Sequence, residues 1–363
     1  MGIQYLNRYL LDHCSKTSIQ KINFSGLSGK TIVVDASIYL YKYVGEDALI
    51  ENIYLLVSIL LYYNIIPVFV FDGKPPEEKR ELIYQRKLKK QKAEKEYNEV
   101  KNNMIEQNVI QNKADVEKME ALKRQFIRIN TYHISITKQL LSCFGIQYYD
   151  AEGEADELCA KLLANHTVWA CLSDDMDMFV YGCSRIIRQI SLLNHTCTLY
   201  NMDAILHDLK IDIQTFREIA VLSGSDYNTI EKIHLYKAFK LYGEYKKILD
   251  GMKSEGLSFR KEPLALLEAS GAKQNIDSLL SLVTKKEDCL IENVKYCSDK
   301  HVSFYTWLQQ NNHIQELDIL QRAYDMFVVS FDDIDTTKYI CAIGEQKKDE
   351  MYKILEMDGF LIV

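Results

Sequence analysis

Three short runs of almost unbroken apolar residues each end on an aspartate: TIVVD (31–35), PVFVFD (67–72) and VWACLSD (168–174). Runs of this length, rich in β-branched and aromatic residues and without polar alternation, predict parallel strands covered on both faces. Between the first two, ENIYLLVSILLYYN (51–64) is long and apolar enough for a crossover helix, which makes a βαβ unit. Shorter strands are expected at GIQYYD (145–150), RIIRQI (185–190) and CTLY (197–200). Strands alternating with helices predict an α/β fold on a mainly parallel central sheet.

Residues 77 to about 130 break the pattern. EEKRELIYQRKLKKQKAEKEYNEVKNNMIEQNVIQNKADVEKMEALKRQF contains neither Gly nor Pro and is dense in Lys, Glu and Gln, so it predicts a largely solvated helical insertion. The remainder, from about 203 to 363, reads as mostly helical with polar connections such as KSEGLSFRKEP (253–263). The chain divides on this basis into 1–76, the insertion 77–130, an internal segment 131–250 and a mostly helical C-terminal region 251–363.

Composition adds bounds. A chain of 363 residues, 47% hydrophobic, can bury a large core. Nine cysteines, none in a CxxC pair, are expected as reduced thiols rather than zinc or disulfide frameworks. The start MGIQYLNRYLLDH is too polar for a signal peptide, and no apolar run reaches membrane length. An intracellular, soluble protein without a membrane partner is expected. Net charge of −7 excludes a uniformly basic nucleic-acid coat and leaves room for a local basic face.

In open parallel sheets, ligands bind outside the carboxyl ends of the strands. Asp35, Asp72 and the Asp174, Asp175, Asp177 group all belong to that edge. EGEADE (152–157) follows the strand GIQYYD and opens the helix ADELCAKLLAN, adding Glu154 and Asp156, and VLSGSDYN (221–228) adds Asp226. Residues two apart in a helix point roughly 200° apart, so Glu154 with Asp156, and Asp175 with Asp177, share a target only across a loop-to-helix junction. Each acid alone has an ordinary explanation as a helix cap or first-turn residue. Together they would repel one another or take up protons unless cations neutralise them. All-oxygen donors favour Mg²⁺, with Mn²⁺ as a substitute, over Zn²⁺. Two such ions roughly 4 Å apart suit in-line displacement at a phosphodiester.

The insertion supplies the opposite charge. After VFDGKPP, Lys79, Arg86 and Lys90 recur at spacings of seven and four, on one helical face. A Lys-rich run is often only a solvated face. Its position just after Asp72 favours a second role, gripping the scissile phosphate. Tyr41, six residues beyond Asp35, is placed to stack on a base.

These stretches, in order, resemble the flap endonuclease and XPG structure-specific nucleases over roughly residues 1 to 250: MGI, VVDASIYLY, VFDGKPPEEKRELIYQR, KRQFIRINTYH, FGIQYYDAEGEADELCAKL, LSDDMDMFVYG and LSGSDY. The resemblance implies a PIN-like 5′ nuclease core and a Mg²⁺-dependent 5′ flap endonuclease with 5′-to-3′ exonuclease capacity, acting in DNA replication, repair or recombination. It implies Asp35, Asp72, Glu154 and Asp156 as ligands of one ion and Asp175, Asp177 and Asp226 of the other, with Lys79 and Arg86 as the catalytic basic pair. Gly2, Tyr41, Lys90, Lys123, Arg124 and Lys232 are the implied DNA contacts, and residues 87 to about 125 the arch. A monomer acting on a 5′ flap or junction is expected, in the nucleus of a eukaryotic cell or at the cytoplasmic replication site of a large DNA virus.

Three departures stand out. Asp156 occupies a position where the family usually has Glu. NTIEKIHLYKAF, with Lys232 and His234 near the expected glycines, replaces the Gly-x-Gly hairpin that grips duplex phosphates around K⁺. KILEMDGFLIV carries no recognisable sliding-clamp peptide, so a clamp partnership is not expected. Two rival readings are a DxD nucleotide-sugar transferase through Asp175 and Asp177, and a catalytically weak junction-binding module. The first leaves Asp35, Asp72 and the basic helix without a purpose, and the second leaves all seven carboxylates so.

Overall fold

The structure, a computed structural model, describes residues 3–106, 113–254, 303–329, 339 and 343–359. In chain order the N-terminal part holds α1 (Leu6–His13), β1 (Ile19–Asn23), β2 (Thr31–Asp35), α2 (Ala36–Gly45), α3 (Leu49–Tyr62) and β3 (Ile66–Phe71). Two long helices follow, α4 (Arg80–Glu106) and α5 (Lys113–Lys123). The chain then returns to the sheet through α6 (Thr131–Cys143), β4 (Tyr148–Asp150), α7 (Ala155–Ala164), β5 (Ala170–Leu172), α8 (Asp177–Tyr181), β6 (Arg185–Ser191) and β7 (Thr196–Asn201). Helices α9 (Met202–Leu209), α10 (Ile213–Leu222), α11 (Leu235–Ser254), α12 (Phe304–Gln310), α13 (Leu317–Asp325) and α14 (Lys348–Met357) complete the described residues.

The seven strands form one sheet in the order β1-β7-β6-β5-β2-β3-β4. Strands β6, β5, β2, β3 and β4 are parallel, whereas β7 and β1 extend the sheet by antiparallel pairing. The expected α/β fold with a mainly parallel sheet is therefore what the chain adopts. Alternate residues of each central strand feed opposite layers: Val33 and Val70 join a core with α1, α7, α8 and α10, while Ile32, Val34, Phe69 and Phe71 join one with α2, α3 and α6. Helices on both faces explain why these strands read as unbroken apolar runs.

Two expectations need correction. The run VWACLSD yields only three strand residues, although Trp169 N–H donates to Thr31 O at 2.7 Å and Ser173 N–H to Ile187 O at 3.2 Å, which carries the ladder one residue further each way. Strand β1 was not expected, because IQKIN pairs only with β7 at the sheet margin and leaves Gln20, Lys21 and Ile22's neighbours largely in solvent, without an apolar run to announce it.

The insertion forms two helices that are solvated except along a narrow seam. Ala93 and Leu122 are buried, and the Tyr97 and Phe126 rings meet at 5.4 Å. Lys123 pairs with Asp47, and Arg128 with Glu94. The C-terminal helices pack onto the core: Phe304, Leu308, Leu320 and Phe327 enter the first layer, and Met351, Ile354 and Leu355 the second. Among the described residues no helix is long and apolar enough to cross a membrane. Cys14, Cys143, Cys159, Cys171, Cys183 and Cys197 are free thiols.

Candidate active site

Each predicted acid except Asp226 owes its place to a strand end or helix start at one sheet edge. Asp35 is the last residue of β2 and also caps α2, accepting from Ser37 N–H at 3.1 Å. It thus performs the ordinary capping job without leaving the cluster. Asp72 lies one residue beyond β3, where Oδ1 accepts from Ala155 N–H at 2.9 Å and Oδ2 from the Ser37 hydroxyl at 2.5 Å. Glu154 precedes α7, and Asp156 lies in its first turn. Asp175 Oδ1 accepts from Asp177 N–H at 3.1 Å where α8 begins. Asp226 follows α10.

One glycine makes this convergence possible. Gly73 N–H donates to Gly153 O at 2.8 Å and Lys74 N–H to Glu152 O at 3.2 Å, zipping the loop after Asp72 to the loop before Glu154. A Cβ on Gly73 would stand 1.9 Å from Ala151 O, so any side chain would force the two acid-bearing loops apart.

The insertion contributes two cations to the same edge. Lys79, almost fully buried at 7% exposure, donates to Glu154 Oε2 at 2.7 Å and lies 3.5 Å from Asp226 Oδ2. Arg86 donates to Asp226 Oδ1 at 2.7 Å. Lys79 sits in the short 3₁₀ turn (Glu77–Lys79) ahead of α4, and Arg86 lies two turns along, so both reach the acids from one side.

The acids are under electrostatic load. Burial, then the charges of Asp72 and Asp175, push the Asp35 carboxyl up to about 7 despite a stabilising Ser173 hydroxyl at 3.0 Å. Burial and neighbouring Asp35, Asp175, Asp177 and Asp72 raise Asp156, and burial with Asp175 and Asp226 raises Asp177. Burial alone would lower Lys79, but Glu154 and Asp226 outweigh it and hold the ammonium charged. Asp177 Oδ1 is buried with no hydrogen-bond partner among the described residues. Unpaired buried carboxylate oxygen is costly, and a divalent cation is the partner its chemistry suits. Among the described residues, no three His, Cys, Asp or Glu side chains already surround one point as a finished metal site. Lys79 and Arg86 hold Glu154 and Asp226 instead.

The expected DNA contacts are scattered more widely. Tyr41 is partly exposed beside the site, with Lys90 Nζ 4.8 Å from its ring centre. Lys90 also donates to Ile127 O at 2.9 Å, which ties α4 to the segment after α5. Lys123 is engaged with Asp47 and Arg124 is exposed, both at the far end of α5. Lys232 lies beyond Asp226, its methylenes 3.0–3.3 Å from where a Gly224 Cβ would stand. Gly2 lies outside the described residues.

Four contributors were not singled out from sequence. Ser37, Ser173 and Tyr227 hydrogen-bond to Asp72, Asp35 and Glu154 respectively. Buried Arg188 donates to Asp174 O at 2.7 Å, while Asp174 Oδ1 accepts from Gln189 N–H at 2.8 Å, so Asp174 is drawn toward β6. Ser173 and Tyr227 adjoin acids in LSDD and GSDY, which was the available signal.

Comparison with known proteins gives the edge its relatives. A family profile described as XPG N-terminal domain matches residues 1–93, and one described as XPG I-region matches residues 145–226. Flap endonuclease 1-B of Oryza sativa subsp. indica is 28% identical over 265 residues, covering 68% of this chain and 62% of the relative. Flap endonuclease 1 of Cryptosporidium parvum (strain Iowa II) is 25% identical over 358 residues, covering 87% of this chain and 68% of the relative. The chain thus spans somewhat less than two thirds of the length of the rice protein. Among solved structures, the catalytic core of Rad2 in complex with DNA substrate superposes with a TM-score of 0.62 at 22% identity, covering 99% of this chain and 95% of that one. Human GEN1 in complex with Holliday junction DNA gives 0.56 at 17% identity, covering 98% and 73%. Those two likenesses speak for the fold. Both XPG profiles match in order and together hold all the acids of this sheet edge, so the chain carries an XPG N-terminal domain and an XPG I-region.

Proposed function

We propose that this protein is a Mg²⁺-dependent, structure-specific 5′ endonuclease with 5′-to-3′ exonuclease capacity, cutting DNA where single and double strands meet. The observation that carries the reading is Lys79 bridging Glu154 and Asp226 with Arg86 on Asp226, at a sheet edge where desolvation and mutual repulsion make Asp35, Asp156 and Asp177 resist ionisation. The two XPG regions support metal dependence, and the oxygen-only donors narrow it to Mg²⁺ with Mn²⁺ as a substitute.

In this reading Asp35, Asp72, Glu154 and Asp156 hold one ion, and Asp175, Asp177 and Asp226 the other. Bound there, the pair would activate water and stabilise the leaving oxygen. The chain's own residues do the rest. Ser37, Ser173 and Ala155 N–H orient Asp35 and Asp72. Lys79 and Arg86 turn from the acids to the phosphate and offset charge developing on it. Tyr41 stacks on a base, and Gly2, Lys90, Lys123, Arg124 and Lys232 meet the backbone along the strand and duplex. The division into nuclease segments 1–76 and 131–250, an arch at 77–130 and a C-terminal region at 251–363 goes with this reading. So do a monomeric state and work in replication, repair or recombination.

Cleavage-site mapping on 5′-flap, nicked, gapped and bubble duplexes across a Mg²⁺ series is the test. Incision near the junction that requires metal is the expected result. Binding of every substrate without incision at any metal concentration would overturn it.

A further inference from the structure

Tyr227 directly follows Asp226, and its ring joins three parts of the protein. Its hydroxyl donates to Glu154 Oε2 at 2.5 Å, the oxygen that also accepts from Lys79 at 2.7 Å. Lys79 Nζ lies 4.6 Å from the centre of the Tyr227 ring. Behind it lies Tyr181, in electrostatic contact with Tyr227. Phe327, fully buried just beyond α13, packs edge-on against both rings, 5.2 Å from Tyr227 and 5.0 Å from Tyr181.

Resting on the nuclease reading, we propose that Tyr227, braced by Phe327, is the positioning residue that holds Glu154 for metal when Lys79 leaves it. A divalent cation entering between Glu154 and Asp226 repels the Lys79 ammonium that pairs with both, and the two compete for the same carboxylates. Once it moves, Glu154 loses its one charged donor among the described residues. Glu154 makes no side-chain capping bond to α7, so little else restrains its rotamer. The Tyr227 hydroxyl restrains it without cancelling its charge, since a neutral donor on Oε2 leaves the carboxylate anionic. No donor among the described residues bonds Oε1, which leaves that oxygen for a cation. A tyrosine has few torsions to lose, and Phe327, edge-on at 5.2 Å, keeps its ring from tilting. The proposal also gives a purpose to residues 303–329, which lie outside both family profiles yet bring Phe327 to the site.

The test is Mn²⁺ binding to DNA-free protein by electron paramagnetic resonance, with metal-dependent cleavage and melting temperature measured alongside. Tyr227→Phe deletes only the hydroxyl, and Phe327→Leu loosens the brace while keeping an apolar side chain there. Removing a partner that orients a metal ligand typically costs about 10- to 100-fold in metal affinity. Tyr227→Phe should therefore weaken Mn²⁺ binding about tenfold and shift the metal requirement for cleavage equally, with a much smaller loss of rate at saturating metal. Phe327→Leu should move the same way by less. Unchanged Mn²⁺ affinity in Tyr227→Phe, or a rate loss undiminished at saturating metal, would overturn the proposal. Since Mn²⁺ binding is read without DNA, a wild type that fails to cut would count against the nuclease reading alone.

Discussion

Arg86 Nη2 lies 2.7 Å from Asp226 Oδ1, so the first turns of the inserted helix are pinned to an acid that follows α10. Lys79 completes the pin by reaching both Glu154 and Asp226. Cations supplied by the insertion thus stand among the acids where metal charge would otherwise be needed. This arrangement makes the insertion a part of the site, and the predictions below separate its role from that of the acids.

Asp72→Ala and Asp177→Ala should each abolish cleavage while leaving flap binding within about an order of magnitude. Groups that hold metal act mainly on the transition state, whereas affinity comes from many phosphate contacts. Single-turnover cleavage and equilibrium binding at saturating Mg²⁺ are the measurements. Substantial cutting by either variant would remove that residue from the metal assignment.

Lys79→Ala and Arg86→Ala should lower the single-turnover rate by about 100-fold or more, with smaller effects on affinity. Lys95 offers the internal control: it is 81% exposed and pairs loosely with Glu99 at 4.0 Å, so Lys95→Ala should be near neutral. Equal, small effects at all three positions would make the helix a solvated face.

Metal-free protein should lose stability as pH rises from about 4 to about 7. Asp35, with its carboxyl pushed to about 7, stays protonated over that range in the fold while ionising in the unfolded chain. The native state then binds more protons, and the slope of unfolding free energy against pH is negative. Burial and repulsion raise Asp177 in the same direction. Asp177→Asn should accordingly melt a few degrees higher than wild type at pH 8 in chelator, and added Mg²⁺ should raise wild type more than the variant. A lower melting temperature for Asp177→Asn in chelator would contradict the electrostatic load described above.

Duplex grip should respond to ionic strength without distinguishing K⁺ from Na⁺. Neither Lys232 nor His234 has positive φ, and the loop is closed instead by buried Asn228, which donates to Val221 O at 2.9 Å and Glu231 O at 2.6 Å. His234 is occupied by rings, 4.8 Å from Tyr5 and 5.7 Å from Tyr236. A hairpin of this kind lacks the bare backbone that two glycines offer a cation. Matched KCl and NaCl series at fixed Mg²⁺ should coincide, and Lys232→Gly should weaken duplex binding severalfold by removing one phosphate contact. A K⁺-specific gain would contradict this account.

The sequence by itself determined the strands that end on acid and the acids that share an edge. Those features depend on local composition: an unbroken apolar run requires two covered faces, and the carboxyl ends of parallel strands lie together. The spacing of Glu154 with Asp156, and of Asp175 with Asp177, likewise limits each pair to a loop-to-helix junction, where the structure has them. The tertiary structure decided what those acids touch. Lys79 meets Glu154 75 positions away, Arg86 meets Asp226 140 away, and Phe327 reaches Tyr227 from a region that reads only as mostly helical. Strand β1 needed the same information, since a half-exposed margin strand earns its pairing only once β7 lies beside it. Such contacts join residues through packing, and no local periodicity records which long-range partners the fold will bring together.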